Sequence, residues 1–309
     1  DSVTKTVNIS SLPIITQKNN IEVCPGEIIN IGSFTSNPTG ATYTWTNSNT
    51  NIGKPASGSG NITNWTAPAN NTGSNISATF TVTPTIGSCI GNPMVFTVTI
   101  KPKPVNNSIA NVFACPQSTI PTQAFTSTPS GANYSWTNNN IAIGIGSSGT
   151  GNINSWIAPN NLGTTNITGT INITPTLNNC PGTSTSYTIN IYPIPNVNPK
   201  TDISVCSGNL ISIGNFTSIP SGATFTWTNN NISIGLAASG NGNIPNWNAP
   251  INNTGSNIVS TITVTPILNN CTGNSISFTI TIKPKPTVDT IAPQTICSGQ
   301  STQTVVLGS

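Results

Sequence analysis

Apolar and polar residues alternate along most of this chain. In Gly40–Asn47, Ala41, Tyr43 and Trp45 fall on one side and Thr42, Thr44 and Thr46 on the other. That period of two predicts a half-buried strand. A second stretch sets Ile76, Ala78, Phe80 and Val82 against Ser77, Thr79, Thr81 and Thr83. A third sets Phe96, Val98 and Ile100 against Val95, Thr97 and Thr99, while Ile29, Ile31, Ile62 and Trp65 supply shorter apolar runs. Threonine on the outer faces favours strand while keeping contact with water. Gly-, Asn- and Pro-rich segments such as PTGA, SGSGN and ANNTGSN separate the strands as turns. No helical period of useful length is present, and short strands with regularly spaced turns predict a β-sandwich.

The pattern occurs three times. GATYTWTN at Gly40 returns as GANYSWTN at Gly131 and GATFTWTN at Gly222, 91 residues apart each time. Trp65, Trp156 and Trp247 keep this step, as do Cys24, Cys115, Cys206 and Cys297, and Cys89, Cys180 and Cys271. Repetition without an insertion predicts tandem domains of one fold. The frame divides the chain into residues 1–13 (the last strand of a preceding repeat), repeats at 14–104, 105–195 and 196–286, and the start of a following repeat at 287–309. On this reading the chain is a piece of a longer array. The joints carry Pro102 and Pro104, Pro193 and Pro195, and Pro284 and Pro286. Such spacing favours stiff, extended backbone, so the expected arrangement is an extended rod.

The order VCPGEIINIGSFTS, YTW, FTVTPTIGSCIGN, FTVTI resembles the PKD-like domain, an immunoglobulin-like β-sandwich, over all three repeats. The acidic WDFGDG that usually follows the Tyr–Trp strand is replaced here by WTNSNTNIG. The cysteine pair and the charge-poor, Asn/Thr-rich surface resemble the PKD-like repeats of very large surface proteins of gliding bacteria that use type 9 secretion. The resemblance implies an extracellular spacer or adhesin stalk and names no ligand. The expected fold class is therefore all-β, a tandem array of immunoglobulin-like/PKD-like β-sandwich domains.

Composition narrows the function. Charged residues are 4% of the chain, and neither His nor Arg occurs. The eight Lys are scattered, which argues against nucleic acid and a basic membrane-binding face. No apolar run is long enough to span a bilayer. Without His, the commonest general base and metal ligand is missing. The acids Asp1, Glu22, Glu27, Asp202 and Asp289 do not recur in the repeat frame. No catalytic residue, metal site or cofactor is expected, and the chain is read as a non-enzyme. The GSGN, GTGN and GNGN loops precede strands, so they are turns and not phosphate cradles.

Within each repeat two cysteines stand 65 apart, giving the expected pairs Cys24–Cys89, Cys115–Cys180 and Cys206–Cys271, with Cys297 left over. Pairing of Cys89 with Cys115 and buried free thiols are the alternatives. Closing loops of this size would contribute roughly 4 kcal/mol each on the chain-entropy model, and disulfides imply an oxidising compartment outside the cytosol. Trp45, Trp136 and Trp227 are expected in the cores. Trp65, Trp156 and Trp247 are either core or, if exposed, platforms for sugar rings. Asn-X-Ser/Thr triplets at Asn64, Asn75, Asn166 and Asn252 are weak glycosylation signals in a composition this rich in Asn, Ser and Thr. DSV at Asp1 and DTI at Asp289 match a bacterial O-glycosylation motif, with Ser2 and Thr290 as acceptors. The expected partners are neighbouring repeats, with surface glycans or other cells beyond them; lateral self-association stays open. Against this stalk reading stands a second one, in which the repeats are carbohydrate-binding accessories of a secreted polysaccharide-degrading enzyme.

Overall fold

A computed structural model describes residues 3, 5, 11–288 and 290–306. The described chain is all-β, with three one-turn 3₁₀ segments as its helical elements. It forms two compact units. The described residues up to Val112, with Ile120–Trp156 and Gly169–Ile189, gather in one; Phe113–Thr119, Ile157–Thr168 and the described residues from Asn190 onward gather in the other.

The first repeat lies whole in the first unit. Its strands are β1 (Ile14–Ile15), β2 (Ile21–Val23), β3 (Ile28–Ile29), β4 (Ser36–Asn37), β5 (Thr42–Asn47), β6 (Ser57–Ser59), β7 (Trp65–Thr66), β8 (Ile76–Ile86), β9 (Cys89–Ile90) and β10 (Met94–Ile100). The main sheet has the order β2-β10-β8-β5-β6, with β9 folding back on β8 as a hairpin; β1-β4 and β3-β7 form two short ribbons. The alternation seen in the sequence fixes what faces inward. Ala78, Phe80 and Val82 of β8 and Phe96, Val98 and Ile100 of β10 are buried. Together with Ile29, Phe34, Ile52 and Trp45 they form one core cluster. Thr99 departs from the expected pattern: it is buried, and its hydroxyl bonds with that of Ser77 at 2.9 Å.

The third repeat lies whole in the second unit and has the same sheet, from the strand Ile203–Cys206 through Ile276–Lys283, Ile258–Leu268 and Thr224–Asn229 to Ser239–Asn241. Its core holds Phe216, Trp227, Ile262, Val264, Phe278 and Ile280. The strands of the middle repeat recur at the same offset. The segment WTNSNTNIG, which replaces the acidic residues of the PKD pattern, ends in the 3₁₀ turn Thr50–Ile52, opened by the Asn49 side chain and closed by Gly53 in the left-handed region.

One strand pairing determines where the cysteines lie. Strand β2 runs parallel to β10, with Ile21 opposite Val98 and Val23 opposite Ile100. Cys24 therefore emerges level with the end of β10, where the chain leaves the repeat. Strand β10 is antiparallel to β8, with Met94 opposite Val82 and Ile100 opposite Ile76, and Cys89 sits beside Ile86 at the other end. The two cysteines of one repeat are thus separated by about ten residues of strand, roughly 30 Å. A disulfide spans at most about 7 Å between Cα atoms.

Candidate functional site

The expected pairs Cys24–Cys89, Cys115–Cys180 and Cys206–Cys271 are not formed. The structure instead bonds Cys24 to Cys180 and Cys115 to Cys271, each with Cα atoms 5.4 Å apart and a sequence separation of 156. Each bond joins the strand-end cysteine of one repeat to the hairpin cysteine of the next. Cys89, Cys206 and Cys297 are free thiols. The physical reason is the parallel β2–β10 pairing, which turns the strand-end cysteine toward the following repeat.

The hairpin side of each staple is built by its turn. Asn178 and Asn179, and again Asn269 and Asn270, have positive φ at both central positions, as a two-residue hairpin of this hand requires and Asn tolerates. Leu177 then pairs directly with Cys180 and Leu268 with Cys271. Cys180 and Cys271 are fully buried there. The hairpin also packs against the entering chain: a Cβ at Gly182 would lie 2.1 Å from the Pro104 carbonyl oxygen, so this position has no room for a side chain.

The side chains beside the two staples make different contacts. Next to Cys24, Lys101 Nζ lies 3.0 Å from Glu22 and donates to the Asn178 carbonyl of the next repeat's hairpin at 3.4 Å. At the same two positions one period later, Phe113 and Tyr192 stack with ring centroids 5.8 Å apart. Glu22 is thus part of a junction contact. The other described acids also have structural partners. Glu27 accepts the Cys24 backbone N–H at 2.8 Å, and Asp202 accepts that of Thr279 at 2.6 Å. The bond to Thr279 holds the Asp202 carboxyl below its ordinary range. Asn20 and Asn111 make the corresponding bond to Thr97 and Thr188 in the other repeats.

Buried asparagines secure the exit from each sandwich, a role the sequence did not signal among so many Asn. Asn70 is fully buried; its amide donates to the Ser74 and Ile100 carbonyls, and its own carbonyl oxygen accepts from Thr72. Asn161 and Asn252 make the corresponding donor bonds, and the linker residues Lys103, Ile194 and Lys285 bond back to the same three loops. Asn252 is 0% exposed, so its triplet cannot accept a glycan in the folded domain. Asn64, Asn75 and Asn166 are exposed.

Trp45 and Trp227 are buried at 8% and 6% exposure, and Trp136 is half-buried. Trp65, Trp156 and Trp247 are half-buried, and each donates its indole N–H to a 3₁₀ carbonyl: Ile52, Ile143 and Ile234, at 2.7, 3.0 and 2.8 Å. The Trp65 ring also packs on Phe80 and carries Lys54 Nζ 4.9 Å from its centre. These rings are built into the domain and are not free platforms. Thr290 is exposed; Ser2 lies outside the described residues. Among the described residues no three of His, Cys, Asp and Glu gather closely enough to hold a metal ion, and no helix is long and apolar enough to cross a membrane. A surface groove of about 660 Å³ is lined by uncharged residues, among them Phe125, Tyr134, Asn133, Asn152 and Thr150.

A family model described as PKD-like domain matches residues 21–104 and 203–286, more than half of the chain. The chain belongs to the PKD-like domain family. Residues 105–195, which repeat the same 91-residue frame, lie between the matched segments. No curated protein matches the chain. Solved structures with similarity include mouse cadherin-23 EC22-24, at 12% identity and TM-score 0.36, covering 89% of this chain and 100% of that one. Protocadherin gammaB7 EC3-6 matches at 12% identity and TM-score 0.36, covering 92% and 78%. Sidekick-1 immunoglobulin domains 1-5 match at 14% identity and TM-score 0.34, covering 90% of this chain; the chain spans 60% of the Sidekick-1 chain. The fold assignment rests on the family match and the strand pairings.

Proposed function

We propose that this chain is a non-catalytic extracellular spacer: PKD-like repeats at 14–104, 105–195 and 196–286 from the stalk or filament of a large bacterial surface adhesin. Export by type 9 secretion and a part in gliding or surface attachment belong to the same proposal. The observation that carries it is the pair of disulfides joining successive repeats. Such bonds secure an array and do nothing for chemistry within one domain. Their presence also supports an oxidising, extracytosolic setting. Glu22, Glu27 and Asp202 are each engaged in a structural bond. The built-in Trp65, Trp156 and Trp247 weigh against the carbohydrate-accessory reading.

Small-angle scattering of the oxidised chain tests the spacer. A radius of gyration well above about 19 Å, the value for one globule of this length, is expected, and a value near 19 Å overturns it. Titration with soluble polysaccharides, followed by tryptophan fluorescence, tests the rival. Saturable binding lost on Trp65→Ala would favour the accessory module; no saturable binding favours the spacer.

A further inference from the structure

The two staples change which part of the chain carries tension. We propose that Cys24–Cys180 and Cys115–Cys271 are load-bearing links that pass pulling force from one repeat to the next and shorten the length of chain that tension can draw out. This mechanical function deepens the spacer reading and rests on it for its biological setting.

When a repeat without a cross-link gives way under tension, it releases 91 residues of chain, about 320 Å at roughly 3.5 Å per residue. Here, force arriving at Cys24 crosses directly to Cys180, and force arriving at Cys115 crosses to Cys271, each bond bridging a separation of 156. The next strand-end cysteine after Cys180 is Cys206, only 26 residues on; 26 residues also separate Cys89 from Cys115 and Cys271 from Cys297. Where the pattern continues, the backbone left to carry load is one such 26-residue segment for every two repeats. Pairing within repeats would leave one for every single repeat.

A 26-residue segment of this kind, the part that bears load where the pattern continues, has little slack to release. Between Cys89 and Cys115 it consists of the strands Cys89–Ile90, Met94–Ile100, Val105–Asn106 and Val112–Ala114, with Pro102 and Pro104 in the joint. Strand residues already rise about 3.3 Å each, close to the limit of an extended chain. The loops closed by the two staples overlap, so residues 115–180 are spanned by both. Losing one link there leaves the other in place. The Glu22–Lys101–Asn178 contact beside the first staple adds a non-covalent clamp at the same junction.

Single-molecule stretching of this chain from handles at its two termini tests the proposal. With both staples closed, the covalent path runs from residue 1 to Cys24, from Cys180 back to Cys115, and from Cys271 to residue 309, which is 126 residue steps against 308 in the reduced chain. The fully extended lengths are then about 440 Å oxidised and about 1,080 Å after a phosphine reductant, at roughly 3.5 Å per residue. Cys24→Ser and Cys115→Ser should each lengthen the oxidised path to 152 steps, and Cys206→Ser should leave it at 126. These are lengths of unfolded chain, read on protein whose linked peptides confirm the remaining native disulfide. An oxidised length equal to the reduced one, or lengthening by Cys206→Ser, overturns the proposal. Either outcome removes the mechanical role and leaves the spacer reading to the scattering experiment.

Discussion

Replacing Gly58 by Ala should destabilise the first repeat by about 2 kcal/mol. Gly58 on β6 sits directly opposite Trp45 on β5. A Cβ added there would lie 2.2 Å from Trp45 Cζ2 and 2.6 Å from Cε2. Ordinary contact needs well over 3 Å, so the indole would have to move by more than 1 Å. It cannot move freely inward, because Phe80 packs against it with ring centroids 6.0 Å apart. Gly→Ala ordinarily gains about 0.4–1 kcal/mol by restricting the unfolded chain, whereas overpacking costs about 1–3 kcal/mol and occasionally more. The steric cost wins, and a domain of this size should lose on the order of 10 °C in Tm. Calorimetry on the oxidised chain reads this. Trp45→Phe in the same background should recover part of the loss, giving a double-mutant coupling of at least about 1 kcal/mol. A Gly58→Ala chain as stable as the parent would mean that the Trp45 ring does not cover β6. The same near-contact recurs at Gly149 with Trp136 and Gly240 with Trp227, both at 2.3 Å, so the effect should appear in every repeat.

Two further substitutions use one repeat as the control for another. Tyr187 occupies the position held by Phe96 and Phe278, its buried hydroxyl has no partner among the described residues, and burial raises its pKa to about 12. Tyr187→Phe should stabilise by about 1 kcal/mol. The unfolded tyrosine ionises near pH 10 while the folded one resists, so the parent's stability is full below about pH 10 and falls as pH rises toward 12. Denaturation at pH 8 and pH 11 checks both points, and a less stable Phe chain would show that the hydroxyl has a partner. Asp202, whose carboxyl is lowered by the Thr279 hydrogen bond, contributes stability above the ordinary carboxylate range that is lost as pH falls through the lowered value. Asp202→Asn should keep neutral-pH stability, because Asn20 and Asn111 make the same bond, and should flatten the acid side of Tm against pH; an unaltered acid side would sink this account.

Alternation encodes which face a residue takes, and that much was legible in the sequence. Period two told inward from outward residues, so Phe80, Val82, Phe96 and Val98 could be assigned to the core from the sequence alone. Strand direction leaves no trace in that alternation. Cys24 on a strand parallel to β10 reads the same as on an antiparallel one, yet only the former carries it to the next repeat. The constant 65-residue step within repeats was therefore compatible with a pairing that the sheet places roughly 30 Å out of reach. Asn70, Asn161 and Asn252 were hidden for a different reason. In a chain where Asn serves everywhere as the uncharged polar residue, composition cannot separate a buried bracket from a solvated loop. The loss of acidic residues after the Tyr–Trp strand was visible; its replacement by an Asn-opened 3₁₀ turn that anchors the Trp65 indole was not.

The role of the junctions depends on which cysteines are joined. Non-reducing proteolysis of the oxidised chain, followed by mass spectrometry of the linked peptides, reads this directly. The account predicts linked peptides carrying Cys24 with Cys180 and Cys115 with Cys271, and Cys89, Cys206 and Cys297 available to an alkylating reagent in the unfolded, unreduced chain. Recovery of Cys24 joined to Cys89, or of Cys115 joined to Cys180, would contradict it.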